Sequence, residues 1–273
     1  MATLLEIITL AARLAREGSA GTVGSGSTTT QLRDPALRNT GRQADHLAGA
    51  WILNPSAASA GNYQRQATER PFQVEVGGLT PTRPWTVAPT EGHAYYLFNR
   101  APATTDPSYP VSWQMAVNDL LGREQIRDRV QATVVSGQTR RFSVADINGW
   151  RPTRASIVRV FGRTSATDYR DYDGSKEGRW YDIHEDAASE VSSITIETSW
   201  TPGNDLVMVD LLRPRPSMAA LTDTTTYDLN AAAWGTVWRF KALMGDPPED
   251  VAAAQREWSV LYHREQPGTR IQT

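Results

Sequence analysis

The amino-acid sequence predicts an α+β protein that is mainly β: small β-barrel or sandwich modules with an N-terminal helix and a C-terminal helical hairpin. Two observations carry this prediction. Apolar residues recur at helical spacing near both ends of the chain and in one short central segment. Between these segments, short apolar runs alternate with clusters of Gly, Pro, Asn and Asp, which is typical of a chain with many short strands.

The first segment, residues 1–30, begins with a predicted amphipathic helix over residues 4–17. Thr3 and Glu6 have the spacing of a capping box, and Gly18 fits the position just after the helix. The apolar residues recur every three or four positions and therefore share one face: Leu4, Ile7, Ile8, Ala11, Leu14 and Ala15. This face needs a surface to cover it, either on the same domain or on a neighbouring subunit.

A small, polar stretch rich in Gly, Ser and Thr follows the helix over residues 18–30. Its side chains are too small to bury much apolar surface. We therefore expect a linker, or an arm that becomes ordered only against a partner.

Two β-rich regions make up the middle of the chain. The first, residues 31–110, has candidate strands separated by glycines and prolines: 50–53, 63–68, 72–76 and 94–98. The second, residues 111–213, opens with a short helix over residues 112–121. Ser112 fits the N-cap of this helix, and Gly122 fits its end. The candidate strands that follow predict a β-sandwich: 131–135, 141–144, 156–161, 179–183, 193–200 and 205–212.

The last region, residues 214–273, is predicted to be a helical hairpin with an extended polar tail. Asp228 fits the N-cap of the first helix. Asp246 and Pro247 fit the N-cap and first turn of the second helix. The polar tail covers residues 263–273.

Composition excludes several classes of protein. The chain has 273 residues, no Cys, four His and a formal net charge of −2. The lack of Cys excludes a disulfide scaffold, an iron–sulfur cluster and a Cys nucleophile, and four scattered His do not favour a zinc site. The balanced charge favours neither a disordered chain nor a strongly basic nucleic-acid binder. No apolar run approaches the length of about 18 residues that a membrane span needs, and the N-terminus does not resemble a secretory signal.

Few residue patterns point to catalysis. Asp168, Asp171 and Asp173 partly match a calcium loop, but their spacing and the missing Glu favour an exposed polar loop. His184 and Glu185 would need a nucleophile close by in space to act as a catalytic pair. The sequence contains no nucleophile elbow, zinc-protease or phosphate-loop motif. We therefore expect no enzymatic activity and no cofactor.

Three weaker patterns leave other interpretations open. Carboxylates that could pair for glycoside hydrolysis lie near predicted strands: Asp182, Glu185, Asp186, Glu190 and Glu197. Some aromatic residues could stack on sugars, although their spacing favours the core: Trp150, Trp180, Tyr181 and Trp200. A local basic run could attract phosphates, although solvated surface is the simpler interpretation: Arg140, Arg141, Arg151, Arg154, Arg159 and Arg163.

The order of short motifs over residues 20–98 is more specific. The motifs are STTT at 27–30, DPAL at 34–37, HLAGAWIL at 46–53, AG at 60–61 with Arg65 and Thr68, GLT at 78–80 with Trp85, and PTEGHAYYL at 89–97. This order resembles a module common in virion proteins of tailed bacteriophages, in which an aromatic strand, an AG…R.VT hairpin, a G.LT strand and a P..GD.Y.L strand follow one another. The chain has Ala67 where Val is usual and His93 where Asp is usual.

The C-terminal region extends this resemblance. A helical hairpin that contains DPPEDVAAAQREW at 246–258, followed by a polar tail, is similar to the helical end of head–tail connector, or neck, proteins. The resemblance implies a structural adaptor subunit that forms a ring, usually dodecameric, between the portal and the tail. Such a ring extends the DNA channel, contacts its DNA non-specifically and belongs to a virion that is assembled in the host cytoplasm.

The resemblance also implies an interface with the portal or a neighbouring subunit. Its candidate residues come from the C-terminal tail and the N-terminal helix: Tyr262, Arg264, Pro267, Arg270, Ile271, Leu4, Ile7 and Ile8. Two alternatives stay open. One is a phage tail, baseplate or fibre-attachment protein, and the other is a carbohydrate-binding or carbohydrate-cleaving protein that uses the second β region.

Overall fold

The computed structural model describes residues 1–39, 47, 49–54, 63–65, 77–103, 111–147, 150–163, 169–171, 181–185, 194–199 and 206–265. The chain forms two compact units. Unit 1 combines Met1–Leu120 with Met218–Thr273, and unit 2 is Leu121–Ser217. Helices near both ends of the chain and several small antiparallel sheets confirm the predicted α+β class.

The N-terminal helix α1, Leu4–Leu14, begins as its sequence predicts. The hydroxyl of Thr3 accepts a hydrogen bond from the Glu6 N–H at 3.2 Å, and a Glu6 carboxylate oxygen accepts one from the Thr3 N–H at 2.8 Å. Bonds from the backbone and side chain of Thr3 lower the pKa of Glu6. The short strand β1, Ala2–Thr3, pairs with β16, Thr224–Thr225, which ties the start of the helix to unit 1.

The predicted end of this helix at Gly18 is wrong. The helix is capped at Ala15, and Arg16 adopts the left-handed backbone conformation that usually favours glycine. Gly18 instead begins a strand, where a Cβ atom would lie 2.8 Å from the Ala12 Cβ and 2.9 Å from the Leu97 carbonyl oxygen. This glycine is therefore required by close packing and not by the helix end.

The expectation that the Gly/Ser/Thr stretch needs a partner to become ordered is also wrong. Its first residues form strand β2, Gly18–Thr22, along strand β7, Ala94–Phe98. Backbone hydrogen bonds order this strand, so it does not depend on large side chains. The sheet has the order β2-β7-β4-β5, where β4 is Trp51–Leu53 and β5 is Tyr63–Arg65.

A second small sheet completes this module. Strand β3, Leu32–Arg33, pairs with β6, Gly78–Leu79. The two sheets enclose one buried cluster: Val23, Leu32, Leu47, Ile52, Leu79, Trp85, Tyr95 and Leu97. The prediction of strand 94–98 is confirmed, and that of 50–53 is confirmed except for its first residue. The predicted strand 72–76 lies outside the described residues.

The remaining helices of unit 1 pack around two aromatic contacts. Helix α2 is Trp113–Arg123, α3 is Leu229–Met244 and α4 is Pro248–Glu265. The Trp113 ring stacks on Phe240 at a centroid distance of 3.8 Å, and Trp238 stacks on Trp258 at 4.8 Å. The predicted helical hairpin is therefore confirmed, and α1 packs against α3 as well.

Helix ends follow the predicted signals with small shifts. Asp228 caps α3 by accepting hydrogen bonds from the Asn230 and Ala231 backbone N–H groups, and Gly245 ends the helix in the left-handed conformation. Ser112 accepts the Met115 N–H as predicted, but α2 continues through Gly122 to Arg123. Helix α4 starts one residue later than predicted, at Pro248.

Unit 2 is a sandwich of two four-stranded antiparallel sheets. The first sheet has the order β12-β11-β15-β8, with strands β12 Tyr169–Asp171, β11 Ile157–Arg163, β15 Leu206–Pro214 and β8 Gln125–Gln131. The second has the order β13-β14-β10-β9, with strands β13 Tyr181–Glu185, β14 Ile194–Thr198, β10 Arg141–Val144 and β9 Thr133–Val134. One apolar core joins them, with Val160 and Val209 from the first sheet and Phe142 and Ile196 from the second.

The predicted strand 131–135 is wrong in its extent. The chain forms the longer strand β8 and the short strand β9, separated by Ala132, which is buried and donates its N–H to the Val207 carbonyl. Strand β8 contains the charged residues Arg127, Asp128 and Arg129, so its sequence lacks the apolar pattern from which a strand is predicted. In the described part of the chain, no helix is long and apolar enough to cross a membrane.

Candidate interaction surfaces

The structure buries the predicted interface residues of the N-terminal helix within the chain itself. Leu4, Ile7 and Ile8 are at most 1% exposed on the face of α1 that packs in unit 1. Unit 1 itself therefore covers the apolar face that these three residues form. A role for these three residues at an interface with a neighbour stays a prediction.

Tyr262, near the end of α4, belongs to an aromatic cluster. Its ring centroid lies 5.1 Å from Trp258 and 6.0 Å from Tyr227, and the Trp258 indole N–H donates to the Tyr227 hydroxyl at 2.9 Å. All three side chains are buried. This cluster fixes the last turns of α4 against the chain that leads into α3.

The structure does not describe the side chains of the other predicted tail residues. Arg264 lies within the last turn of α4, but its side chain is outside the described part of the chain. Pro267, Arg270 and Ile271 are outside the described residues. Their predicted contact with a portal stays a prediction.

The candidate catalytic histidine lies on the surface. The His184 Nε2 atom is 3.4 Å from a carboxylate oxygen of Glu197, and both side chains are about half exposed, at 47% and 55%. Thr195 lies directly opposite His184 on the neighbouring strand, and Ser143 lies opposite Thr195 on β10. Asp186, Glu190 and two residues of the predicted polar loop, Asp168 and Asp173, are outside the described residues.

The aromatic residues proposed for sugar stacking divide into two groups. Tyr181 is 4% exposed and belongs to the unit 2 core, and Trp150 packs against that core. These two positions agree with the core interpretation. Trp180 and Trp200 are outside the described residues.

An ionic cluster on the first sheet of unit 2 was not predicted. Strand register places Arg159 on β11, Asp210 on β15 and Arg129 on β8 in one row across three strands. Arg129 Nε donates to Asp210 Oδ1 at 2.7 Å, and Arg127 Nη2 donates to Asp210 Oδ2 at 2.6 Å. The guanidinium groups of Arg129 and Arg159 lie 4.6 and 5.6 Å from the Phe161 ring centroid.

Asp210 is buried while its two arginine partners are half exposed. Its side chain is 1% accessible, against 55% for Arg127 and 49% for Arg129. Burial acts to raise the pKa of the Asp210 carboxyl, but hydrogen bonds and charge attraction from the two arginines outweigh burial and lower that pKa. The carboxylate is therefore ionised and orients both guanidinium groups across the sheet surface.

Three other residues of the predicted basic run lie elsewhere in unit 2. Arg141 lies on the second sheet, where its Nη2 donates to the Thr195 hydroxyl at 3.3 Å. Arg151 and Arg154 lie in the segment before β11. Residues that are close in sequence are thus distributed over separate parts of unit 2, which sequence spacing alone does not reveal.

Two polar contacts in unit 1 were also missed by sequence reasoning. The buried Tyr95 hydroxyl donates to Asp34 Oδ2 at 2.8 Å, and burial together with this carboxylate raises the pKa of Tyr95. Asn118 of α2 accepts the Met218 N–H at 2.8 Å and donates to the Met218 carbonyl at 3.1 Å. Asp34 belongs to the DPAL motif and Tyr95 to the AYYL strand, so the first contact joins two of the motifs that carry the resemblance.

Comparison with known proteins identifies no family for this chain. The chain matches no protein-family model, and no curated protein matches it. Among the described residues, no group of three His, Asp or Glu side chains has the arrangement of a metal site.

Proposed function

We propose that this protein is a structural subunit of the neck of a tailed bacteriophage, an adaptor that forms a ring between portal and tail. In this proposal the ring extends the DNA channel and performs no catalysis. The proposal rests first on the order of motifs in the sequence, and the fold adds one observation in its support.

The supporting observation is that the motifs of the resemblance fold together. The small-residue arm, the aromatic strand and the AYYL strand become β2, β4 and β7 of one sheet. Unit 1 also contains α1 and the hairpin of α3 and α4. The parts that resemble a connector protein, although separated by unit 2 in the sequence, therefore form one compact unit.

The C-terminal hairpin supports a portal-binding role for the tail. Tyr262 and Trp258 hold α4 inside unit 1 up to its last turn. A rigid helix that leads into a polar segment would present that segment in a defined direction. In the proposal, residues 263–273 bind the portal.

Copy number in purified particles tests the proposal. Quantitative mass spectrometry should find about one copy of this chain per portal subunit. A few copies per particle would instead place the chain at the tail tip or baseplate, and many more copies than portal would place it on the capsid. Absence from particles would reject a structural role in the virion and return attention to the carboxylates near His184.

A truncation tests the role of the tail. Removal of residues 266–273 leaves Tyr262 and α4 in place, so the melting temperature should not change. Co-purification with the portal protein of the same phage should be lost. Glu257→Ala, an exposed substitution on α4, is the matched control and should retain portal binding. Retention of binding by the truncated chain would reject a portal contact by residues 266–273 while leaving the copy-number test unaffected.

A further inference from the structure

Strand β2 lies at the edge of the four-stranded sheet of unit 1, and β7 is its only neighbour among the described strands. At the two ends of β2, the Glu17 carbonyl accepts the Asn99 N–H at 2.7 Å, and the Val23 N–H donates to the His93 carbonyl at 2.9 Å. In an antiparallel pair, residues that exchange bonds with the neighbouring strand alternate with residues whose backbone groups point away from it. The odd-numbered residues of β2 therefore bond β7, and the even-numbered residues point away.

The outward residues are Gly18, Ala20 and Thr22, and no hydrogen bond from the described part of the chain reaches their outward N–H and carbonyl groups. The next outward residue, Gly24, already donates its N–H to the Arg33 carbonyl at 2.6 Å. The chain therefore covers its own sheet edge from Gly24 onward and leaves the edge unpaired along β2. We call this stretch the open edge.

The open edge lacks the features that usually keep two sheet edges apart. Its sequence, GSAGT, contains no charged residue and no proline, and all five residues pair with β7 without a bulge. Ser19, Ala20 and Thr22 are exposed. A row of unpaired backbone donors and acceptors specifies its own ligand, which is another extended strand.

We infer that the open edges of two copies of this chain pair as antiparallel strands around a two-fold axis at Ala20. In this register Ala20 lies opposite Ala20 of the second copy, and Gly18 lies opposite Thr22. Every outward N–H then meets an outward carbonyl, and the two sheets become one continuous sheet. The pairing ends beyond Thr22, because the Gly24 N–H is already bonded.

A second copy fits the open edge because the edge is complementary to itself. Such a contact is isologous, so the same residues serve on both sides. The first residues beyond the open edge, Glu17 and Val23, lie opposite each other in this register, so no like charges meet there. Two short strands make a small contact of the weak, reversible class. The inference goes beyond the proposed function and does not depend on it, because the contact joins copies in pairs with or without a virion.

Oxidation of single-cysteine variants to a disulfide tests the register. The native chain has no Cys, so each variant of the full chain carries one thiol. Opposite residues in a hydrogen-bonded pair have Cα atoms about 5.5 Å apart, a distance that a disulfide spans. Ala20→Cys should therefore form a disulfide-linked dimer in concentrated solution.

Thr22→Cys is the matched control, because Thr22 is also exposed and lies on the same side of the strand as Ala20. In the inferred register the two Thr22 positions are separated by about 14 Å along the strands, at a rise of about 3.4 Å per residue. A disulfide cannot span that distance, so Thr22→Cys should yield about tenfold less dimer than Ala20→Cys.

Amide hydrogen exchange tests the contact in the native chain. The Ser19 and Gly21 amides bond β7 and should exchange slowly at every protein concentration. The Ala20 and Thr22 amides should exchange fast in dilute protein and slowly in concentrated protein, as pairs form. Ala20→Pro removes an outward N–H and no bond to β7, so it should leave the melting temperature of the dilute chain unchanged. The Thr22 amide of this variant should exchange fast at every concentration.

Three results would overturn the inference. One is an equal yield of dimer from the two cysteine variants, and another is exchange at Ala20 that does not depend on protein concentration. The third is exchange at Ala20 that slows only when the portal protein is added, which would assign the open edge to a strand of the portal. Copy number in particles is measured independently, so the neck proposal stands or fails separately from this contact.

Discussion

At the scale of single residues, Asp210 is the group with the largest predicted effect on unit 2. It accepts bonds from Arg127 and Arg129 while its own side chain is 1% accessible. Asp210→Asn removes the charge that both guanidinium groups neutralise, so the free energy of unfolding should fall by about 2 kcal/mol. Urea denaturation at neutral pH measures the change. Asp146→Asn, an exposed substitution, should have no measurable effect.

The contribution of the Asp210 carboxylate to the free energy of unfolding depends on pH in a defined direction. The pKa of Asp210 is lower in the folded chain than its ordinary value of 3.8. The stabilisation is therefore present above pH 3.8 and is lost as the pH falls below it through the folded pKa. The difference between the native chain and Asp210→Asn should shrink over that acidic range. A difference that stayed constant there would show that the carboxylate charge is not the source.

At the scale of elements, strand β2 depends on its small residues. A Cβ atom on Gly21 would overlap the Asp34 carboxylate and the Tyr95 ring. Gly21→Ala should therefore lower the free energy of unfolding by about 1–3 kcal/mol, as overpacking does elsewhere. Thermal unfolding measures the loss. Ala20→Ser, at the neighbouring exposed position, should change stability little, and an equal loss there would assign the effect to the backbone instead.

This strand also shows where sequence reasoning is limited. The capping box of Thr3 and Glu6 was predictable because both halves of the interaction lie within four residues. The order of β2 was not predictable, because its partner β7 lies more than seventy residues away. A composition without large apolar residues indicates disorder only when no distant strand supplies hydrogen bonds. The Asp34–Tyr95 contact was missed for the same reason.

The hairpin of α3 and α4 carries the second prediction at this scale. Trp258 is 4% exposed, stacks on Trp238 and donates to the Tyr227 hydroxyl. Trp258→Ala should lower the free energy of unfolding by about 3–5 kcal/mol, because a large buried ring is replaced by a cavity. A shift of the thermal unfolding transition of unit 1 to lower temperature measures this loss of stability. An unchanged transition with failed assembly would instead make Trp258 an interface residue.

At the scale of the whole molecule, the division into two units was not visible in the sequence. The predicted boundaries near residues 110 and 213 follow changes in local pattern, whereas the compact units divide at Leu120 and Met218. Helix α2 and the segment that returns from unit 2 meet through Asn118 and Met218, which are one hundred residues apart. No local pattern encodes such a contact, although both residues are ordinary polar and apolar positions in the sequence.

The contact between Asn118 and Met218 leads to the last prediction. Because Met218 exchanges two hydrogen bonds with Asn118, the chain enters and leaves unit 2 at neighbouring points of unit 1. Replacing residues 121–217 by a short Gly-Ser linker should therefore leave unit 1 folded, with its helical circular dichroism retained. Asn118→Ala in this shortened chain removes the contact and should lower its melting temperature.

The shortened chain also tests which unit makes the contacts between copies. It retains α4 and the C-terminal tail, so it should still co-purify with the portal protein. It lacks unit 2, so any contact between copies that unit 2 makes should be lost even though each copy binds the portal. A shortened chain that unfolds would contradict the independence of unit 1. One that folds, binds the portal and assembles as well as the full chain would assign the ring contacts to unit 1.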